Sequence, residues 1–190
     1  MRVEGVDFIY NTADLVELHG ADYKSKRSDI NQLLRAHPTA VVEPLTVADA
    51  DAVRELCLLW LRQRGCDADG RPATPYGVEE EVHAILYAAQ NLDALGLVGA
   101  RLRIEDRMVG FTIGERLVTG CANVLFEKTD LTIPGASQLL FREFCRSLQG
   151  CPRITTGDGS GSDSLIRAKM SYRPVELAEK LKRTFARGSR

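Results

Sequence analysis

Residues 107–144, RMVGFTIGERLVTGCANVLFEKTDLTIPGASQLLFREF, read as two strands, a glycine-bearing loop and an amphipathic helix in immediate succession. The first strand alternates Val109, Phe111 and Ile113 against Gly110, Thr112 and Gly114, the period of a half-buried strand, and carries Glu115 at its far end. The second, Cys121 to Glu127, is a nearly unbroken apolar run closing on Glu127 and Lys128, which predicts a strand covered by helices on both faces with its charged pair at the strand end. The loop Thr132–Ser137 then opens a helix over Pro134–Leu148 whose buried stripe is Leu140, Phe141, Phe144, Cys145 and Leu148. In open α/β sheets, ligands collect beyond the carboxyl ends of strands, and a helix N-terminus there presents unpaired N–H groups. The loop around Gly135 is therefore expected to cradle an anionic or carbonyl group.

Working outward toward the N-terminus, Val6–Tyr10 reads as a short strand, followed by a helix capped by Thr12 and ended by Gly20. A second helix, from Asp22 to about Ala36, sets Tyr23, Ile30, Leu33 and Leu34 against a basic half with Lys24, Lys26 and Arg27, until Pro38 breaks it. Ala40–Leu45 reads as a strand, and Thr46 opens a helix with Val53, Leu56, Cys57 and Trp60 at helical spacing, so Trp60 is expected in the core. Arg64–Tyr76 is rich in Gly, Pro and Asp and reads as the least ordered internal loop. Gly77 to about Leu95 is a further amphipathic helix, and Leu97–Ile104 forms a hairpin with the Arg107 strand. Beyond the quoted stretch, Pro152–Thr156 reads as a strand, Gly157–Asp163 as a glycine loop, the next segment as a helix with Arg167, Lys169 and Tyr172, and Pro174 as the start of a last helix.

With 190 residues, 44% of them apolar, the chain suits one substantial core. Its net charge of -1 is unevenly placed, since residues 165–190 hold eight Lys or Arg against two Asp or Glu. A basic C-terminal appendage on an acidic body can meet phosphates or a lipid surface, or simply be solvated. The five cysteines show no C-x-x-C and the three histidines no metal-ligand spacing, so no metal site is expected. Cys57, Cys121 and Cys145 lie in apolar patterns and read as reduced core residues, which points to the cytoplasm. No run reaches the roughly 18–20 apolar residues of a membrane span, and MRVEGVDF lacks the apolar core of a signal peptide.

Four separated segments, DFIYNTADLVELHGADYKSKRSDINQLL, VGFTIGE, FEK with PGA downstream, and LIRAKMSYRP, resemble in the same order the cytosolic C-terminal domain of the phosphatidylglycerol lysyltransferase (aminoacyl-phosphatidylglycerol synthase) family and its soluble relatives. The match covers most of residues 7–182. It implies an α/β, GNAT-like fold with a mixed central sheet flanked by helices. Members of the family carry two tandem GNAT-like domains joined by a helix. The resemblance thus divides the chain into a joining strand and helices (1–38), a GNAT-like transferase domain (39–185) and a basic tail (186–190), with the first GNAT-like domain expected to be missing. Leu15, Leu18 and Leu33 are accordingly expected to leave an apolar patch for a partner domain or a second copy.

The same resemblance implies that an activated carbonyl, in the best-known members the ester of an aminoacyl-tRNA, passes to a hydroxyl or amine acceptor such as a lipid head group or a small molecule, with no cofactor, at the cytoplasmic side and peripheral to the membrane. Such a transfer needs a positioned nucleophile, a group to take its proton and donors for the oxyanion. Glu127, Lys128 and Lys169 are the candidate catalytic residues. Lys26, Arg27, Asn31, Gly135, Asp158, Arg167 and Tyr172 are the candidate substrate-binding residues, with Asp158 standing beside Gly159 where the family places an Asp. Two alternatives stay open: an acetyl-CoA-dependent acetyltransferase, for which Thr132–Ser137 keeps only one glycine of the pyrophosphate signature, and a non-catalytic binding domain.

Overall fold

The structure, a computed structural model, describes residues 2–64, 78–159 and 163–182. Among these, seven strands form one sheet: β1 (Arg2–Asn11), β2 (Val41–Pro44), β3 (Leu97–Ile104), β4 (Arg107–Arg116), β5 (Cys121–Thr129), β6 (Arg153–Thr155) and β7 (Glu176–Lys182), in the order β2-β3-β4-β5-β6-β1-β7. The sheet is mixed, because β5 and β6 run parallel through the α5 crossover (Ala136–Ser147) while every other neighbouring pair is antiparallel. Helices α1 (Thr12–Glu17) and α2 (Lys24–Ala36) pack with α5 on one face. Helices α3 (Ala50–Arg64) and α4 (Val78–Gln90) cover Phe111 and Ile113 on the other. A last helix, α6, spans Asp163–Met170. This is the expected α/β arrangement of a mixed sheet flanked by helices.

The burial of the two central strands is the reverse of the sequence expectation. On β4, every residue from Val109 to Ile113 is buried, polar and glycine positions included, because α5 sits directly on Gly110, Thr112 and Gly114. A methyl group added to Gly114 would run into the carbonyl oxygen of Asn123 and lie 3.1 Å from Phe144 Cζ, and one on Gly110 would lie 3.0 Å from Leu140 Cδ2. The alternation thus separates two helix layers rather than helix from water. On β5, by contrast, Leu125 is exposed and Asn123, Val124, Phe126 and Glu127 only half-buried, since the strand lines a cavity instead of lying under a helix on both sides.

Further expectations are corrected. No helix starts at Pro174. Leu177 and Leu181 have the i, i+4 spacing of a helix, but the segment pairs antiparallel with β1 as β7, and tertiary pairing overrides the local preference. Arg173, at φ 54, makes the turn between α6 and that strand. Asn11, not Thr12, is the N-cap of α1, while Thr12 Oγ1 donates to the Cys151 carbonyl at 2.5 Å. Leu15, Leu18 and Leu33 form no exposed apolar patch: they are at most 2% exposed, buried against α5 and β1. Residues 2–36 therefore supply a strand of the common sheet and part of its core. The loop at 65–77 with Cys66, and the tail at 183–190, lie outside the described residues.

Gly114→Ala should destabilise the fold by about 1–3 kcal/mol, the usual cost of overpacking, because both the Asn123 backbone and Phe144 would have to move. Urea unfolding checks it, and an unchanged midpoint would contradict the described closeness of α5 and β5 to β4.

Candidate active site

The site depends on a register slip. From Gly110 to Gly114 of β4 the even-numbered residues face α5, while Phe111 and Ile113 face α3 and α4. Gly114 pairs with Val124, but Ile113 pairs with Phe126, so Leu125 is an extra residue on β5, a β-bulge. A one-residue slip exchanges the faces of everything beyond it. Past the bulge Glu127 therefore lies opposite Thr112 and points to α5, while Lys128 lies opposite Phe111 and points to α3 and α4. The expected strand-end pair is split across the sheet, and β5 continues past it to Thr129.

Glu127 sits under the N-terminus of α5. Its Oε1 accepts a hydrogen bond from Ser137 Oγ at 2.6 Å and its Oε2 one from Thr112 Oγ1 at 3.0 Å. Burial pushes its pKa above the usual carboxylate value, against the opposing pull of Ser137, Thr112 and Lys128. Lys128 is 9% exposed, its ammonium held by Glu81 Oε1 at 2.9 Å and lying 4.4 Å from the centroid of the Trp60 ring. Trp60 is accordingly half-buried as a platform for cations, with Arg64 also stacked on it, rather than a fully buried core residue.

Beside Glu127 the sheet opens. The β5–β6 pairing stops at Asn123 and Thr155, after which the chain follows β1, with Thr156 N–H donating to Phe8 O and Phe8 N–H to Gly157 O. Among the described residues, 124–129 of β5 thus have β4 alone as a strand partner. The resulting cavity of ≈ 480 Å³ is floored by Asn123–Lys128 and walled by Ser137 and Phe141 of α5, by Thr156–Asp158, and by Leu165, Ala168, Lys169 and Tyr172. Tyr172 meets Phe141 edge-on at 5.0 Å, and Lys26 stacks 4.4 Å above its ring. Burial lowers the Lys26 pKa, against the raising effect of Asp29.

The candidates from sequence thus divide. Glu127, Lys128, Lys169, Asp158 and Tyr172 line one cavity, and Lys26 stands next to it. Arg27 instead donates to the carbonyls of Leu18 and Gly20 at the end of α1, while Asn31 and Arg167 are exposed and line no part of the cavity. Gly135, at φ 85, lets the loop pass the backbone of α2, since a Cβ there would lie 2.5 Å from Asp29 O. Three amides of that loop are already bonded, Thr132 and Ile133 to Asp130 and Ala136 to Ile133, and Leu131 just before it donates to Gln63. Ser137, Thr112 and Thr156 were missed. For Thr112 a signal existed, a lone hydroxyl between two glycines on the face that receives α5.

Asp130 holds this loop in place. Its buried carboxylate accepts from Gln63 at 2.6 Å, from Thr132 Oγ1 at 2.6 Å and N–H at 3.0 Å, and pairs with Arg107 at 2.9 Å. Burial acts to raise its pKa, but these hydrogen bonds outweigh it and bring it from 3.8 down to about 2.

Comparison with known proteins adds the following. A family model described as "Phosphatidylglycerol lysyltransferase, C-terminal" matches residues 2–181. A crystal structure of a conserved protein of unknown function from Bacteroides thetaiotaomicron VPI-5482 superposes with a TM-score of 0.84 at 29% identity, covering 94% of this chain and 58% of that one. The structure of L-PGS from Bacillus licheniformis superposes with a TM-score of 0.64 at 16% identity, covering 92% of this chain and 58% of that one, a likeness of fold. The chain therefore spans less than two thirds of the length of either. Among proteins of curated function, none matches.

Asp130→Asn should cost about 2 kcal/mol near pH 7, the value of its pKa depression. Because the folded pKa is the lower one, this stabilisation is present above the unfolded value and lost as pH falls from about 4 through 2. Urea melts of both proteins across that window check it, and a constant difference between them would contradict it.

Proposed function

The chain belongs to the phosphatidylglycerol lysyltransferase C-terminal family, and from that premise we propose that it passes an aminoacyl group from an activated ester, of the kind carried by aminoacyl-tRNA, to a hydroxyl or amine acceptor inside the β5–β6 cavity. The acceptor class we favour is a lipid head group or a small polar molecule. The observation that carries this reading is Glu127, a carboxylate with a raised pKa, fixed by two hydroxyl donors, on the floor of a cavity that can hold both reacting groups.

The chemistry follows from that placement. Glu127 takes the proton of the acceptor hydroxyl or amine as its oxygen or nitrogen attacks the ester carbonyl, and returns it to the departing ribose hydroxyl as the ester C–O bond breaks. Ser137 and Thr112 keep the carboxylate oriented through both steps. The edge of β5 from 124 to 129, which among the described residues has no strand partner on the cavity side, offers peptide N–H groups to the developing oxyanion. Lys26, held on the face of Tyr172, suits a phosphate of the donor or of the acceptor. The acetyl-CoA reading has less support, since three amides of the loop that would cradle a pyrophosphate, those of Thr132, Ile133 and Ala136, are already bonded to Asp130 and Ile133. No helix among the described residues is long and apolar enough to cross a membrane.

Glu127→Gln should lower kcat/KM for transfer by about 10²–10⁴-fold, the usual contribution of a general base, while leaving the unfolding midpoint close to the parent's. The parent's rate should fall on acidification with a midpoint above the ordinary carboxylate pKa of roughly 4.3, because the residue must be ionised to act. Transfer of labelled amino acid from aminoacyl-tRNA, followed across pH, checks both. A Gln variant as fast as the parent would remove Glu127 from the reaction.

A further inference from the structure

The wall of the cavity opposite β5 is tied together by one ammonium group. Lys169 Nζ donates to the carbonyl oxygens of Thr156 at 2.5 Å, Gly157 at 3.0 Å and Asp158 at 2.5 Å. An ammonium has three protons, so all of its donors are engaged by the chain that leaves β6. The group lies 5.6 Å from the centroid of the Phe8 ring, and the Lys169 carbonyl in turn accepts from Tyr10 Oη at 3.1 Å.

Just beyond the helix that carries Lys169, Tyr172 meets Phe141 edge-on and its carbonyl accepts from Tyr23 Oη at 3.0 Å. None of the α6 side chains is buried, and Leu165, Ile166 and Met170 are among the exposed large apolar residues. The loop before it packs through the backbone of Gly159, where any Cβ would collide with Ile166. On the far side, Lys180 of β7 bridges Asp158 Oδ2 at 3.5 Å and Asp7 Oδ1 at 3.2 Å, so the loop is held electrostatically from both ends. The Lys169 ammonium and carbonyl tie α6 to residues 156–158 and to the Tyr10 hydroxyl of β1.

We propose that Lys169 is a positioning residue: it touches no substrate, and by gathering the carbonyls of residues 156–158 it fixes the loop and α6 as the wall that faces Glu127. Because the three carbonyls turn toward Lys169, the peptide N–H groups on the opposite sides of the same planes turn away from it, so this side chain, together with the backbone bonds to Phe8, sets the loop's orientation toward the cavity. The effect on transfer rests on the reading given under Proposed function; the effect on the loop does not.

The test uses the full chain and its Lys169→Met and Lys169→Gln variants, Gln keeping two donors in case Met prevents folding. Hydrogen exchange is followed over residues 150–172, together with binding of a 5′-phosphorylated, amide-linked aminoacyl-adenosine across a salt series. Exchange within 156–170 should accelerate by about tenfold or more in the Met variant and less in the Gln variant, with β4 unchanged and the salt slope of binding the same as the parent's. Unchanged exchange with a salt slope smaller by about one would make Lys169 a direct phosphate contact and overturn the proposal. Unchanged exchange with any other slope overturns it equally. A parent chain that does not bind the probe counts against the transfer reading alone, since the exchange result still decides the role of Lys169.

Discussion

One extra residue on β5 determines what this protein's cavity contains. Without the bulge at Leu125, strict alternation would place Glu127 against α3 and α4 and Lys128 beneath α5. With it, the carboxylate comes to the α5 N-terminus beside two hydroxyls, and the ammonium to a Glu81–Trp60 clamp on the other side. An ionised carboxylate is costly to bury without donors, and Ser137 and Thr112 are where those donors stand. The glycines of β4 complete the arrangement: only with no side chain at 110 and 114 can α5 lie close enough for Ser137 to reach Glu127.

A second constraint opens the space that Glu127 faces. β5 is bound along its length to β4, and the chain after β6 is bound to β1, so the two halves of the sheet separate past Asn123 and Thr155. The cavity arises from backbone pairing rather than from side-chain shape. Its two walls differ in kind. The α5 side rests on a continuous apolar core that includes Leu139, Leu140 and Phe144, whereas the α6 side is held by hydrogen bonds and ion pairs around Lys169 and Asp158. Such a polar attachment belongs to the low-stability end of a fold, where binding elements that must adjust are found.

The parts legible in the sequence were those governed by periodicity. The α5 stripe and the β3–β4 hairpin are read directly from residues 97–148, and Glu127 stands out as an acid closing an apolar run. The bulge was not legible, because Leu125 is an ordinary apolar residue in an apolar strand and the slip exists only relative to β4. β7 was misread as a helix for a related reason: its leucine spacing is helical, and only the free edge of β1 makes a strand of it. Lys169 could be singled out from LIRAKMSYRP, but its three carbonyl partners come from a loop whose path depends on β1. Arg27 and Gly135 were noticed for charge and for glycine, and both turn out to serve contacts within the α1, α2 and α5 layer.

In the proposed transfer, the reacting carbonyl sits at the open edge of β5. Amide-resolved hydrogen exchange of the parent chain, with and without a saturating non-hydrolysable aminoacyl-adenosine, measures this most directly. Slowed exchange confined to residues 124–129 and the N-terminal turn of α5 is the predicted result. Binding that protects neither of them, or protects the groove between α3 and the β3–β4 turn instead, would contradict it.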